Sequence, residues 1–295
     1  MKRVAFVGVM LAFASLSFAQ YGASAGSQNP PAGQAAATPQ QNAAQAAPAG
    51  KRPPQAKTQP EFEAYKTAAA NTDPAAFQKA AEDFAAKFPD SELRILLFKT
   101  AMRNYQNANN GDKTMEMARK VLTVDPDDPE SLTDLAEILT ERTRDTDLDK
   151  DQRFDEARKS VDHALKSIDT DLPAGVPADK LDAYKGLLRS NAYSILGTLD
   201  FNKGNFTSAE ANFRKSIDAY PQPDPVTMLR LSLSLDRQDK YPEALTYANK
   251  AVDLTQEGTP AGTLARSEKD RLMKLMQMTG GKPATPAAST APPKK

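Results

Sequence analysis

The sequence contains no cysteine and no tryptophan, and His163 is the only histidine among its 295 residues. Without cysteine the chain has no disulfide, no thiolate nucleophile and no cysteine-based metal site. A histidine triad or proton shuttle would have to use His163, and a two-histidine zinc motif is impossible. No glycine-rich phosphate loop opens a helix. We therefore predict neither an enzyme nor a resident cofactor.

Acidic residues are missing from both ends of the chain. None precedes Glu61 or follows Asp270, although the whole chain has 38 acidic and 38 basic residues. Residues 1–60 and 282–295 carry eight Lys or Arg, which leaves 30 basic against 38 acidic residues between them. A phosphate-binding face needs an excess of cations. The acidic central region therefore argues against a nucleic-acid partner.

Residues 1–19 have the three parts of a secretory signal peptide. Lys2 and Arg3 form the charged start, and an apolar run follows from Val4 to Phe18. That run is shorter than the roughly 20 residues that span a bilayer as a helix. Ser17-Phe18-Ala19 places small residues before a cleavage point at Gln20. We expect an exported protein, periplasmic or extracellular, with no transmembrane anchor after cleavage, and an uncleaved anchor is the alternative.

Two segments lack the large apolar residues of a folded core. Residues 20–57 are built mainly from Ala, Gln, Pro, Gly and Ser, and residues 280–295 are similar. Such segments cannot offset the entropy of ordering, so we predict a disordered linker and a disordered tail. The sequence Gly22-Ala-Ser24-Ala-Gly26 matches the nucleophile elbow of hydrolases, but that motif needs a flanking strand and helix. We interpret the match as chance.

Helical periodicity extends from Glu61 to about Met278, and no segment alternates as a strand does. The most informative stretch, residues 193–221, predicts two helices joined by a tight turn. Small residues in it allow the helices to approach closely, and large ones fill the adjoining groove. The residues expected in these positions are Tyr193, Leu196, Gly197, Ala209, Phe213 and Pro221.

This pattern resembles the tetratricopeptide repeat, a helix–turn–helix unit of about 34 residues. The resemblance covers about residues 58–278 and implies an all-α fold, a right-handed α-solenoid of about five repeats at residues 58–279. Residues 263–278 would form a C-terminal capping helix. One packing position recurs at spacings of 37, 43, 52 and 35 residues. Its occupants are Phe77, Thr114, Ala157, Ala209 and Ala244.

The excess over a strict repeat lies in two insertions. Residues 140–153 lengthen the turn of the third repeat. Residues 171–189 begin with a proline-containing segment and continue as a helical run. We expect that run to extend the first helix of the fourth repeat.

The resemblance also implies a role in protein recognition, because the first helix of each pair in such solenoids lines a concave groove that takes a peptide or helix. The lining would be mixed in charge and polarity, and the alternative is an ordinary solvated helix face. The candidate groove residues are Lys99, Arg103, Gln106, Asn107, Thr133, Glu137, Glu141, Ser194, Thr198, Asn202, Leu229, Leu233 and Asp236.

The first insertion also contains an acidic pattern. Five residues occupy the ligand positions of a calcium loop: Asp145, Asp147, Asp149, Asp151 and Glu156. Lys150 stands where the loop needs glycine, and Glu156 is also needed in the second helix of the repeat. A charged surface loop is therefore the favoured interpretation, and a calcium-regulated module is an alternative.

These observations predict a non-enzymatic extracytoplasmic adaptor that binds a protein or peptide on its concave face. A first alternative is an envelope assembly factor, because residues 87–91 (Lys-Phe-Pro-Asp-Ser) look like helix ends of periplasmic repeat proteins of outer-membrane biogenesis. A second alternative is a structural spacer that binds nothing. The sequence does not identify the partner.

Overall fold

A computed structural model describes residues 51–173, 177–222 and 224–279. The predicted signal peptide (1–19), residues 20–50 of the predicted linker with the Gly22–Gly26 match, and the tail 280–295 lie outside the described residues. The described part is all-α, with eleven helices and no strand. None of these helices is long and apolar enough to span a bilayer.

The helices follow one another as five packed pairs and a final helix. Helices of a pair pack against each other, and each pair contacts the next. The bounds of the first six are α1 (Gln59–Ala69), α2 (Pro74–Lys87), α3 (Arg94–Asn107), α4 (Gly111–Val124), α5 (Pro129–Arg142) and α6 (Lys150–Ser167). The remaining five are α7 (Ala178–Asn202), α8 (Phe206–Ala219), α9 (Pro225–Asp236), α10 (Tyr241–Asp253) and α11 (Pro260–Thr279).

Local sequence fixes where several of these helices begin. An Asp-Pro pair opens α2, α5 and α9, with the aspartate as the N-cap. Each aspartate accepts a hydrogen bond from a backbone N–H in the first turn, at 2.8 Å for Asp73 and Asp128 and 2.9 Å for Asp224. The proline has no N–H to leave unpaired at that position. These starts depend on neighbouring residues alone.

The contacts between paired helices are those of a tetratricopeptide-type repeat, as predicted. The recurring position at residues 77, 114, 157, 209 and 244 is buried throughout, with at most 3% of any of these residues exposed. In the fourth pair, a Cβ added to Gly197 would lie 2.6 Å from ring atoms of Phe213. A side chain at Gly197 would therefore force α7 and α8 apart. The prediction of an all-α repeat solenoid is confirmed.

Both insertions leave the pairing of helices intact. The first forms the connection between the end of α5 at Arg142 and the start of α6 at Lys150. The second lengthens α7 to 25 residues, against 14 in its partner α8. The capping helix is α11, whose Leu272 is fully buried against the fourth and fifth pairs.

Residues 51–57, which the sequence places in the linker, are described as an extended segment against the solenoid. The Lys51 ammonium contacts Asp125 and Asp171, and the Arg52 guanidinium contacts Glu92. The low hydrophobicity of this segment predicts that it is disordered. Charge pairs to the folded region hold residues 51–57 in place instead.

Candidate protein-binding face

The first helices of pairs two to five, α3, α5, α7 and α9, share one side of the solenoid, here called the inner face. Ser194 on α7 bonds Thr227 on α9 with 2.9 Å between the hydroxyl oxygens. Arg230 on α9 donates to the Glu141 carboxylate on α5 at 2.5 Å, although α7 lies between α5 and α9 in the row of first helices. Two helices that are not neighbours meet only when the surface curves towards them. The inner face is therefore concave.

Lys99 lies at the α3–α5 contact of this face and is 13% exposed. Its ammonium is 2.6 Å from Asp128 and 2.8 Å from Glu130. Burial lowers the pKa of Lys99, but the charges of Glu130 and Asp128 outweigh burial and raise the pKa above its ordinary value. Lys99 was predicted to face a partner. The structure places it instead in an internal ion pair that joins the second and third repeats.

The other predicted residues of α3 are more accessible. Arg103 is exposed, and its guanidinium binds both carboxylate oxygens of Glu130 at 2.9–3.0 Å. The Gln106 amide donates to Asp134 at 2.5 Å. Asn107 is exposed at the end of α3. These three side chains border the open part of the inner face.

Three carboxylates of α5 form what we call the acidic centre of the inner face: Asp134, Glu137 and Glu141. Burial raises the pKa of Asp134 well above its ordinary value, and the charges of Glu130 and Glu137 add to the effect. Partial desolvation by the surrounding protein, helped by the Glu141 charge, raises the pKa of Glu137, and the residue stays accessible to solvent. The centre carries more negative charge than its own cations neutralise, so a positive ligand would relieve it.

Several other predicted groove residues serve internal packing. The Thr133 hydroxyl is buried and donates to the Pro129 carbonyl oxygen at 2.7 Å. Thr198 is buried, donates to the Ser194 carbonyl oxygen and accepts from Arg230. These bonds hold the helices in place rather than offer free donors. Of the α7 candidates, Asn202 alone is exposed.

The α9 candidates are covered by the end of the solenoid. Leu229 is buried with Ala265 of α11, and Leu233 packs against the same cluster. The Asp236 carboxylate lies 2.6 Å from the Arg271 guanidinium of α11. The structure corrects these three assignments, because the capping helix occupies the surface that a sixth repeat would take.

Sequence reasoning missed four residues of the inner face: Glu130, Asp134, Tyr184 and Arg230. A signal existed for two of them, because acidic residues at 130, 134, 137 and 141 follow the spacing of one helix face. Tyr184 is on the extension of α7, and burial together with the Glu130 charge raises its pKa. The pKa of Tyr184 also responds to Lys99, so the extension lies beside the Lys99–Glu130 pair.

The carboxylates of the acidic insertion do not converge on a common point, as the ligands of a calcium ion would. Asp145 and Asp149 pair with Lys150 and Arg153, and Asp147 accepts from a backbone N–H. Glu156 lies within α6 and binds Arg119 of α4 at 2.7 Å. In the part of the chain that the structure describes, no three acidic or histidine side chains form a metal-ligand group. The geometry supports the charged surface loop over the calcium loop.

His163 lies on α6 and is partly exposed. Its Nε2 is 2.7 Å from the Asp127 carboxylate, at the connection between α4 and α5. His163 therefore forms an accessible pair with an acidic residue of a neighbouring connection.

The comparisons with known proteins concern the fold. No protein-family model and no curated protein sequence matches the chain. A solved thermophilic TPR protein of Thermus thermophilus is 12% identical, and the match covers 70% of this chain and 98% of that one at a TM-score of 0.44. Pseudomonas aeruginosa pilF is 15% identical over 76% and 95% of the two chains, with a TM-score of 0.47. A tetratricopeptide repeat protein of Parabacteroides merdae is 13% identical over 76% and 93%, at 0.36. These values are low, and the assignment of repeats rests on the contacts within the chain itself.

Proposed function

We propose that the chain is a non-enzymatic adaptor that works outside the cytoplasm and binds a protein or peptide on its inner face. The acidic centre carries this proposal. Asp134 is partly buried, and burial together with the charges of Glu130 and Glu137 raises its pKa, so the negative charge of Asp134 costs free energy in the absence of a ligand. A chain without a partner would gain stability by losing that charge. The partner is expected to present lysine or arginine side chains to the centre.

Export is supported by the sequence of residues 1–19 alone. Lys2, Arg3, the apolar run and Ser17-Phe18-Ala19 have the order that a signal peptide requires. Fractionation of the producing cell and N-terminal sequencing test this part of the proposal. A mature protein that begins at Gln20 outside the cytoplasm would support it, whereas a cytoplasmic protein with an intact N-terminus would refute it.

Crosslinking capture from the native envelope fraction tests the binding function. The full chain is compared with Glu137→Lys, which reverses an exposed charge of the acidic centre, and with Glu257→Lys. Glu257 is an exposed glutamate in the connection between α10 and α11, so it controls for the change in net charge. We expect one protein that the parent and Glu257→Lys both capture and Glu137→Lys loses. Equal recovery by all three would refute binding at the inner face and favour the structural spacer.

The envelope assembly role stays a prediction, since the segment that suggested it has a packing explanation. The ring of Phe88 lies 5.1 Å from the ring of Phe84 between centroids. The buried Ser91 hydroxyl donates to the Glu61 carboxylate. Phe88 therefore packs on the end of α2 and Ser91 fastens α1 to the segment that follows α2, which gives these two residues a structural role.

A further inference from the structure

Residues 51–57, here called the arm, lie along the loops that precede α3, α5 and α7. Those loops supply the acceptors, and we call them the acidic edge: the Asp90 carbonyl oxygen and the carboxylates of Glu92, Asp125 and Asp171. The acidic edge lies at the helix ends and shares no residue with the acidic centre of the inner face.

The Lys51 ammonium occupies a site made by two different repeats. It is 2.6 Å from the Asp125 carboxylate, at the end of α4, and 2.5 Å from the Asp171 carboxylate, after α6. The backbone N–H of Lys51 donates to the Leu172 carbonyl oxygen at 3.4 Å. An ammonium, a peptide N–H and three acceptors therefore meet at one point.

This cation site is built into the fold. The Asp171 side chain is only 7% exposed, so the loop after α6 fixes its position. Burial raises the pKa of Asp171, the hydrogen bond from Lys51 lowers it, and the neighbouring Asp125 charge raises it. Without an ammonium the two carboxylates would repel each other. The pair is therefore suited to a lysine side chain from any source that reaches it.

The acidic edge also binds the residues of the arm that follow Lys51. The two terminal nitrogens of the Arg52 guanidinium bind the two Glu92 oxygens at 2.8 and 2.5 Å, in the bidentate geometry that selects arginine. Glu92 also accepts from the Gln55 backbone N–H at 3.2 Å, and Lys57 donates to the Asp90 carbonyl oxygen at 2.7 Å. Prolines 53 and 54 favour the extended backbone that these contacts need.

The arm is held loosely enough to be exchanged. Half of the Lys51 side chain and 64% of the Arg52 side chain are exposed. Ion pairs with such exposure contribute little to stability and are screened by salt. The acidic edge therefore offers a preformed site, while its present occupant is attached by contacts that a competitor can replace.

We propose that the acidic edge is a recognition site for an extended segment with adjacent lysine and arginine on a partner protein. Residues 51–57 occupy this site in cis and leave it when such a segment displaces them. The site is separate from the inner face, so the chain can hold two protein segments at once. The arm determines how tightly a partner segment must bind the acidic edge in order to displace it. As a tethered segment, the arm competes at an effective concentration in the millimolar range.

Fluorescence anisotropy with a labelled peptide of residues 48–58 tests the site. The peptide is titrated into the full chain and into Lys51→Gln/Arg52→Gln, whose arm can no longer compete. We expect the variant to bind the peptide at least about tenfold more tightly than the parent, by removal of the tethered competitor. Adding Asp125→Asn and Asp171→Asn to the variant should abolish binding, and a peptide with glutamine at both cationic positions should not bind.

Three outcomes would overturn the proposal. They are equal affinity of parent and arm variant, no binding by the arm variant, and retention of binding after the two Asp→Asn changes. Thermal unfolding followed by circular dichroism checks that the Asn variants fold. If they do not, Glu92→Gln in the arm variant replaces them, because Glu92 lies in a surface loop, and unchanged binding there would equally overturn the proposal.

Discussion

The second and third repeats, here called the irregular half because they match the tetratricopeptide pattern only in part, and the fourth and fifth repeats, here called the regular half because they match it well apart from the extension of α7, reach one architecture by different contacts. In the irregular half, charged side chains such as Lys99 and Glu130 join neighbouring first helices. In the regular half, paired helices approach closely because Gly197 has no side chain and because buried alanines such as Ala209 are small. The irregular half also buries alanines such as Ala157, so its inner-face charges act in addition to close packing. Lys99 uses its charge to join two repeats, whereas the acidic centre lies where we place the partner.

The largest expected effect is in the irregular half. Lys99→Met keeps the side-chain volume but leaves the carboxylates of Asp128 and Glu130 without their buried cation, so we expect a loss of about 3–5 kcal/mol in unfolding free energy. Arg103→Met is the matched control, since Arg103 is exposed and Lys99 still neutralises Glu130. Its loss should stay below about 1 kcal/mol. Urea unfolding at neutral pH measures both, and equal losses would contradict the assignment of Lys99.

The Lys99 effect should also depend on pH. Burial raises the pKa of Glu130, but the charges of Lys99 and Arg103 outweigh burial and lower it below its ordinary value of 4.5. A lowered pKa in the folded state gives stability that is present above pH 4.5 and is lost as the pH falls through the folded-state pKa. The difference between the parent and Lys99→Met should therefore shrink in acid.

The regular half should respond to volume and not to charge. Gly197→Leu would drive side-chain atoms into the ring of Phe213, and we expect a loss of about 1–3 kcal/mol that does not vary with pH. Gly111→Leu is the control, because its Cβ would meet the flexible end of Arg142. An unchanged melting temperature for Gly197→Leu would show that the fourth repeat is wrongly aligned.

A smaller effect of opposite sign is expected at the acidic centre. Asp134→Asn removes a charge whose folded-state pKa is raised, so it should stabilise the chain by about 0.5–2 kcal/mol at neutral pH. A raised carboxylate pKa means that the folded state binds more protons than the unfolded state. The stability of the parent therefore falls as the pH rises through this window, and the variant avoids that fall. Denaturation at neutral and at mildly acidic pH checks this, and destabilisation at neutral pH would contradict the proposed excess of charge.

The sequence predicted the elements of the fold because their signals are local. The pairing of Gly197 with Phe213 and the extended α7 each depend on residues close in the chain. The lining of the inner face was predicted less well, because it depends on helix rotation. Consecutive residues of a helix differ in direction by about 100°. Leu229 was expected in the groove, yet the next residue, Arg230, is the one that reaches across to Glu141.

The sequence pattern does not predict contacts between residues that are far apart in the chain. Lys99 meets Asp128 across 29 residues, and Lys51 meets Asp171 across 120. Periodicity assigns a side chain to a face of its own helix but does not give its distance from a charge on another helix. The internal role of Lys99 and the ordered arm follow from such distances.

The bond between Glu141 and Arg230 has a mechanical consequence. In a solenoid each helix pair contacts mainly its neighbours, so the spacing between more distant pairs can vary as the solenoid bends or stretches. The ion pair between Glu141 and Arg230 acts as a clasp between the third and fifth repeats and holds their spacing while no ligand is bound. A ligand that takes the carboxylate of Glu141 opens the clasp and leaves every pair intact. We therefore expect a ligand that binds Glu141 to change the stiffness of the solenoid, because it removes this direct link between two repeats that are not neighbours.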